Sequence, residues 1–288
     1  MTHEAAKSGL VTTIPVAIEQ NYPENKRIIS DHLASSMLPI GVRPFVWIMR
    51  FNGIRDWFAK TIEKKFPGIW AGLLCRKRYI DEKLFELDHE FEAIVNLGAG
   101  FDTRVYRMSS STSVPTWEID LDENIAQKKN RLVKLFGQIP NHIQLISTDF
   151  DRDDLSSVLS TSGYSSDMQT FFIWEAVSQF LTKVGIQATL DLLSKAQKGS
   201  RLIFTYILKE FLAGDTMYGQ EKTYKQFVEK GVWLFGLHPS EVSSFLASYG
   251  WRVMEHLGYD DLAEKYVEPI GRKLSALPIE RIVLAERT

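Results

Sequence analysis

The chain has 288 residues, 44% of them apolar and 24% charged, with a formal net charge of −2. That length can bury a sizeable core as one large domain, or as one domain with an appendage, without covalent staples. The single cysteine, Cys75, excludes an internal disulfide and points to a reducing, cytoplasmic setting, and no apolar run approaches the ~20 residues of a membrane span.

The first residues, MTHEAAKSGLVTT, lack the basic start and long apolar stretch of a secretory signal. Residues 1–22 read as a loosely ordered arm. From about Asn25 to Leu87 the pattern is helical, divided by Pro39, Pro44 and Pro67. Cys75 falls in this stretch and reads as a small buried apolar residue. "FEAIVNLG" then opens a run of strands and is followed by a helix-compatible "DTRVYRM". A loop at 109–115 leads to the strand "TWEIDL". The stretch 122–137 places Ile125, Leu132, Val133 and Phe136 on one helical face, with Asp122 as a candidate N-cap and Gly137 past the end. "IQLISTDF", "TFFIWEAV" and "RLIFTYIL" read as strands, with a helix before Gly199 between the last two. "WRVMEHL" and "RIVLAE" bring the expected total to seven strands. This alternation implies βαβ units and a mainly parallel sheet covered on both faces.

Ligands of such sheets bind beyond the carboxyl ends of the strands. There the first strand delivers Gly98, Gly100 and Asp102, the second Asp120, the third Asp149 and Phe150, and the fourth Glu175. Gly98 and Gly100 permit backbone conformations and close approaches that a Cβ would block. An edge so acidic suits a cationic, hydroxyl-bearing ligand better than a pyrophosphate. Asp120 lies twenty residues after Gly100, the offset at which an acid accepts ribose hydroxyls in nucleotide-binding βαβ units. The plain structural readings are a tight turn for the glycines and helix N-caps for Asp120 and Asp149. Glu175 follows four bulky apolar residues, so its carboxylate needs a partner or a ligand. An NAD(P)-dependent oxidoreductase is the rival enzyme class, but Thr103 stands where a third fingerprint glycine would be.

"IVNLGAGFDTRVYRM", "WEIDLDENIAQKKNRL", "FIWEAVSQFLT" and residues 235–266 resemble the leucine carboxyl methyltransferase-like group of class I S-adenosyl-L-methionine-dependent methyltransferases, over roughly residues 74–288. The resemblance implies a Rossmann-like, seven-stranded, mainly parallel α/β sheet. It divides the chain into an N-terminal arm and helical cap at 1–88 and a methyltransferase domain at 89–288. It further implies that Gly98, Ala99 and Gly100 pass along the methionine moiety, with Asp102 and Arg104 in the same turn completing that side. Asp120 would hold the ribose, and Asp149 and Phe150 the adenine. Glu175 would lie near the amino or sulfonium side, and Arg76 or Arg78 would pair with the carboxylate.

Candidates on the acceptor side are Tyr206, near the end of the fifth strand, and His238, in "FGLHPSE". An edge-packing aromatic and a loop residue are their plain readings. A base is needed only for an acceptor that arrives protonated. The six histidines show no metal-ligand spacing, so no metal is expected.

Residues 41–80 carry nine basic side chains against Asp56 and Glu63, interleaved with Phe45, Trp47, Phe51, Trp57, Phe58, Phe66 and Trp70. This segment reads as a lid over an acceptor pocket or as amphipathic helices packed on the sheet. A non-catalytic RNA- or lipid-binding face is the alternative. The expected partner is a small hydrophobic acceptor, with no nucleic acid and no membrane; the oligomeric state is left open.

Overall fold

A computed structural model describes residues 3–87, 89–108, 114–275 and 277–288. Four helices come first: α1 (His3–Glu19), α2 (Arg43–Ile48), α3 (Asn52–Lys65) and α4 (Ile69–Glu86). The strands follow as β1 (Ala93–Leu97), β2 (Thr116–Asp120), β3 (Ile143–Ser147), β4 (Thr170–Trp174), β5 (Arg201–Leu208), β6 (Gly236–Leu237), β7 (Trp251–Leu257) and β8 (Glu280–Arg287). Between them lie α5 (Asp122–Phe136), α6 (Leu155–Thr161) and α7 (Lys183–Leu193). The sheet runs β3-β2-β1-β4-β5-β8-β7, with β6 beside β5. All pairings are parallel except those of β8 with β5 and β7. The seven expected strands are all present, and the two-residue β6 is an eighth.

Strands β1 and β4 are buried at every position, which is why Phe171–Trp174 of β4 read as an unbroken apolar run and β1 is apolar but for Asn96. Their alternate side chains enter two cores. Val95, Leu97, Phe172, Trp174 and Phe204 pack with Leu159 of α6 and Leu190 of α7. On the other face Ile94, Phe171, Ile173 and Ile203 pack with Ile18 of α1 and with Leu74 and Ile80 of α4. The N-terminal helices therefore share a core with the sheet. Cys75 is fully buried in that core.

Three local expectations differ from the structure. Most of the stretch expected to be a loose arm is α1. Its Pro15 and β-branched residues are poor helix formers. Packing overrides them: Val16, Ala17 and Ile18 are at most 2% exposed, and the Glu19 carboxylate accepts from Ile28 N, Trp70 Nε1 and Arg272 Nη1. The segment after β1 is a single 3-10 turn, Arg104–Tyr106, and not a longer helix. The buried Arg104 draws this segment inward, and Asp102 Oδ1 accepts from Arg104 N at 2.9 Å. Finally, Leu121 is the N-cap of α5 and Asp122 its first helical residue, while Gly137 closes it at φ +81°. Residues 109–113 of the expected loop lie outside the described residues.

Among the described residues no helix is long and apolar enough to cross a membrane, and no group of His, Cys, Asp and Glu is placed to hold a metal ion.

Candidate active site

The direction in which strands are added reverses between β1 and β4, and the carboxyl ends of these two strands open a crevice. The loop after β1 enters it through Gly98 at φ +81° and Gly100 at φ +45°, both in the left-handed region. A Cβ on Gly98 would stand 2.1 Å from Val177 Cγ2, so the loop after β4 leaves no room for a side chain there. Asp120, at the end of β2, holds the turn: Oδ2 accepts from Gly100 N at 2.6 Å, and Oδ1 accepts from Leu121 N at 2.7 Å and Asn124 Nδ2 at 2.8 Å. A carboxylate has about four acceptor sites, so one is left for a ligand. Burial pushes the Asp120 carboxyl up, against the hydrogen bonds from Asn124, Gly100 and Leu121.

Glu175, just past β4, is the centre of a nearly buried ionic network. It accepts from Arg76 Nε at 2.9 Å and Arg104 Nη2 at 2.9 Å, with Lys77 Nζ at 3.3 Å. Burial works to raise its carboxyl, but Lys77, Arg104 and Arg76 outweigh it and hold the group well below the usual range. Arg104 also pairs with Asp81 at 3.1 Å and Asp102 at 3.1 Å. Arg76 Nη1 reaches both oxygens of Glu280 at 2.6 Å. Arg76 and Arg78 are separated by the phase of α4: Arg76 is buried towards the crevice, and Arg78 is exposed on the far side of the helix. The charged side chains lining the crevice are Arg76 and Lys77 against Asp102, Asp120 and Glu175, an excess of one negative charge.

The crevice encloses about 80 Å³. A second cavity of about 330 Å³ adjoins it, and the two share Thr12, Arg76, Ala176 and Phe180. The larger chamber is walled by Leu73, Ile207, Phe227, Trp233, Leu277 and Ile279 among others, with Phe227 stacked on Trp233 at 4.8 Å. Its ionisable lining residues are Arg76 and Glu280. Both cavities are covered by α1: Gly9, Thr12 and Thr13 line the crevice, and Val11 and Thr12 the chamber. A Cβ on Gly9 would lie 3.5 Å from Gly100 Cα, so helix and turn meet backbone to backbone.

The structure brings Arg76, Gly98, Ala99, Gly100, Asp102, Asp120 and Glu175 together in the crevice lining, with Arg104 directly behind Glu175. It places four other expected residues away from both linings. Phe150 is 2% exposed in the core. Asp149 Oδ1 accepts from Asp151 N, and the N-cap of α6 is Asp154. Tyr206 shares the core face of Phe204, and its hydroxyl meets His256 Nε2 at 2.8 Å; its neighbour Ile207 faces the chamber. His238 is exposed and caps its own turn, Nδ1 lying 2.7 Å from Ser240 Oγ. Strand parity explains Tyr206, since adjacent strand residues face opposite sides.

Sequence reasoning missed Lys77, Asn96, Asn124 and Glu280. Glu280 opens an antiparallel strand opposite Ile207, so it sits at the same edge as the carboxyl ends of the parallel strands. The expected lid from residues 41–80 is represented in the chamber only by α4, while α1 supplies the cover. The positive stripe of 41–80 is also broken: Arg55 and Arg76 are buried, Arg55 against Asn21 O at 2.6 Å.

The strand order and the site at the β1/β4 switch define the class I methyltransferase fold. Two solved structures share it: a DUF574-family protein from Streptomyces avermitilis (TM-score 0.55, 11% identity, 80% of this chain and 88% of that one) and a methyltransferase from Mesorhizobium loti (TM-score 0.50, 12% identity, 74% and 98%). The family model described as leucine carboxyl methyltransferase matches residues 9–194, more than half of the chain, and the protein belongs to that family. The match takes in the N-terminal helices, beyond the resemblance carried by residues 74–288. YktD of Bacillus subtilis, provisionally assigned as an S-adenosyl-L-methionine-dependent methyltransferase, is 28% identical over 70% of this chain and 68% of its own length. A Mycobacterium tuberculosis protein with the same provisional assignment is 23% identical over 84% and 80%.

Proposed function

We propose that this S-adenosyl-L-methionine-dependent methyltransferase places the methyl group on an oxygen of a small hydrophobic acceptor. The observation that carries the reading is the meeting of an acidic crevice with an apolar chamber at Thr12, Arg76, Ala176 and Phe180. A sulfonium amino acid bears two positive charges and one negative, and the crevice lining has one negative charge in excess. Bare backbone at Gly98, Ala99 and Gly100 fits the aminoalkyl part, and Arg76 its carboxylate. The remaining acceptor site of Asp120 fits a ribose hydroxyl. Asp102 and Glu175 face the cationic side, and Arg104 fixes Glu175.

When bound, the methyl donor supplies a carbon already activated by its sulfonium. The protein's contribution is therefore alignment of the acceptor oxygen with that carbon, and exclusion of water by the apolar walls. The acceptor is a small molecule and not a nucleic acid or a membrane; the interrupted charge of 41–80 supports that reading.

Calorimetry with S-adenosylhomocysteine tests the proposal. A saturable isotherm is expected, weakened by Arg76→Ala and unaffected by Arg78→Ala. Absence of binding at millimolar ligand overturns it.

A further inference from the structure

We propose that the outer face of α2 and α3 docks this enzyme on an anionic lipid bilayer, with Trp47, Phe51 and Trp57 entering the interface and the cations around them meeting headgroup phosphates. The bilayer is a docking surface here and not the acceptor: among the described residues, α2 and α3 contribute nothing to the lining of the crevice or the chamber. The inner side of this segment is committed to the core. Val46 and Met49 are buried, Arg55 donates to Asn21 O at 2.6 Å, and Phe58 meets Phe45 at 5.1 Å and Trp70 at 6.3 Å, edge to face. The outer side is apolar all the same. Trp47 is 56% exposed and Trp57 67%, and Ile48, Phe51 and Ile54 are exposed with them. The rings of Trp47 and Phe51 meet at 6.3 Å, and Phe51, Ile54 and Trp57 follow at a helical spacing of three, so these side chains form one patch.

The charge around the patch identifies the occupant. Arg43, Arg50, Lys60, Lys64 and Lys65 are exposed against Asp56, while Glu63 accepts from Gly68 N at 2.9 Å. Arg50, Lys60, Lys64 and Lys65 form no ion pair among the described residues. Arg50 lies 3.7 Å over the Trp47 ring and 4.9 Å from the Phe51 ring centre, which holds its guanidinium level with both. The stripe is broken in charge, but the apolar surface is continuous. A bilayer boundary rewards that combination, through insertion of tryptophan and phenylalanine and attraction of lysine and arginine to anionic headgroups. Lysine is depleted at protein–protein interfaces, whereas beside a membrane its stem lies along apolar matter and its ammonium reaches water. Two copies meeting through this face about a twofold axis would set cation against cation. Stacked nucleic-acid bases need open ring faces; Arg50 covers one face of Trp47, and Ile48 and Ile54 offer none.

Co-sedimentation of the full chain with vesicles, at about 150 mM salt, tests this. One set of vesicles is phosphatidylglycerol mixed equally with phosphatidylcholine, and the other is phosphatidylcholine alone. Partition into the anionic set is expected to be stronger by about tenfold or more, with a blue shift of tryptophan emission. Replacing both tryptophans, Trp47→Ser with Trp57→Ser, should weaken that partition by about tenfold or more. Reversing two charges, Lys60→Glu with Lys64→Glu, should do the same. Far-ultraviolet ellipticity shows that each variant is folded. Absence of partition into the anionic vesicles overturns the inference, as do equal partition into both sets and wild-type partition by either folded variant. A dimer in sedimentation velocity that the tryptophan variant dissociates assigns the face to a second copy. A mobility shift of single-stranded RNA that the same variant abolishes assigns it to nucleic acid, and either result overturns docking on lipid. If the tryptophan variant does not fold, the lysine variant, changed only at exposed positions, decides.

Discussion

Asp120 illustrates how much one side chain does at this site. Three of its acceptor positions shape the turn at Gly100, the start of α5 and Asn124. Asp120→Ala is expected to weaken S-adenosylhomocysteine binding about 10–150-fold, from the loss of charge-assisted hydrogen bonds worth ~1.5–3 kcal/mol. An unchanged dissociation constant in calorimetry would take Asp120 out of the site. The offset from Gly100 made this residue readable in the chain. The burial of Arg76 and exposure of Arg78 were also there to be read: Arg76 follows Leu73 by three residues and precedes Ile80 by four, on the buried face of α4. Glu280 was not readable, because it meets Arg76 across 204 positions of sequence and no local pattern encodes that pairing.

Among the elements, strand β4 declared itself through an unbroken apolar run and β1 through a β-rich run ended by Gly98, whereas α1 did not, since Pro15 and its β-branched neighbours argue against a helix that only burial sustains. The link between β2 and α5 carries a different burden. Lys128 and Glu118 are both fully buried and meet at 2.8 Å, and Tyr106 OH donates to the same carboxylate at 2.6 Å. Removing one partner of such a pair strands a charge in the interior. Lys128→Met should therefore cost ~3–5 kcal/mol in chemical denaturation, with much of it recovered when Glu118→Gln is added. A single variant as stable as wild type would show that the pair does not hold β2 and α5 together.

Across the whole molecule five interior acids fall into two sets. Burial outweighs the favourable partners of Asp81, Glu118 and Asp120 and raises them, whereas cations outweigh burial at Asp102 and Glu175 and lower them. The linkage signs are opposite. A lowered acid contributes stability that is present above its unfolded value, 4.5 for Glu175, and is lost as pH falls through its folded value. A raised acid prefers to be neutral in the fold, so acidification through its folded value relieves the molecule. On acidification Asp120 accordingly gains its proton above its ordinary 3.8, while the Glu175 network still stands. Affinity for S-adenosylhomocysteine should fall at a higher pH than far-ultraviolet ellipticity. Coincident acid transitions in calorimetry and circular dichroism would contradict this order.

The contact between Gly9 and Gly100 has a practical corollary. Small-molecule sites span about 300 Å³ and upward, and the crevice under α1 is far tighter. Gly9, Thr12 and Thr13 of the first helix line that crevice, so a donor seated there would lie directly against it. A purification handle fused ahead of that helix would stand beside the site, and donor affinity compared with and without the handle measures its influence.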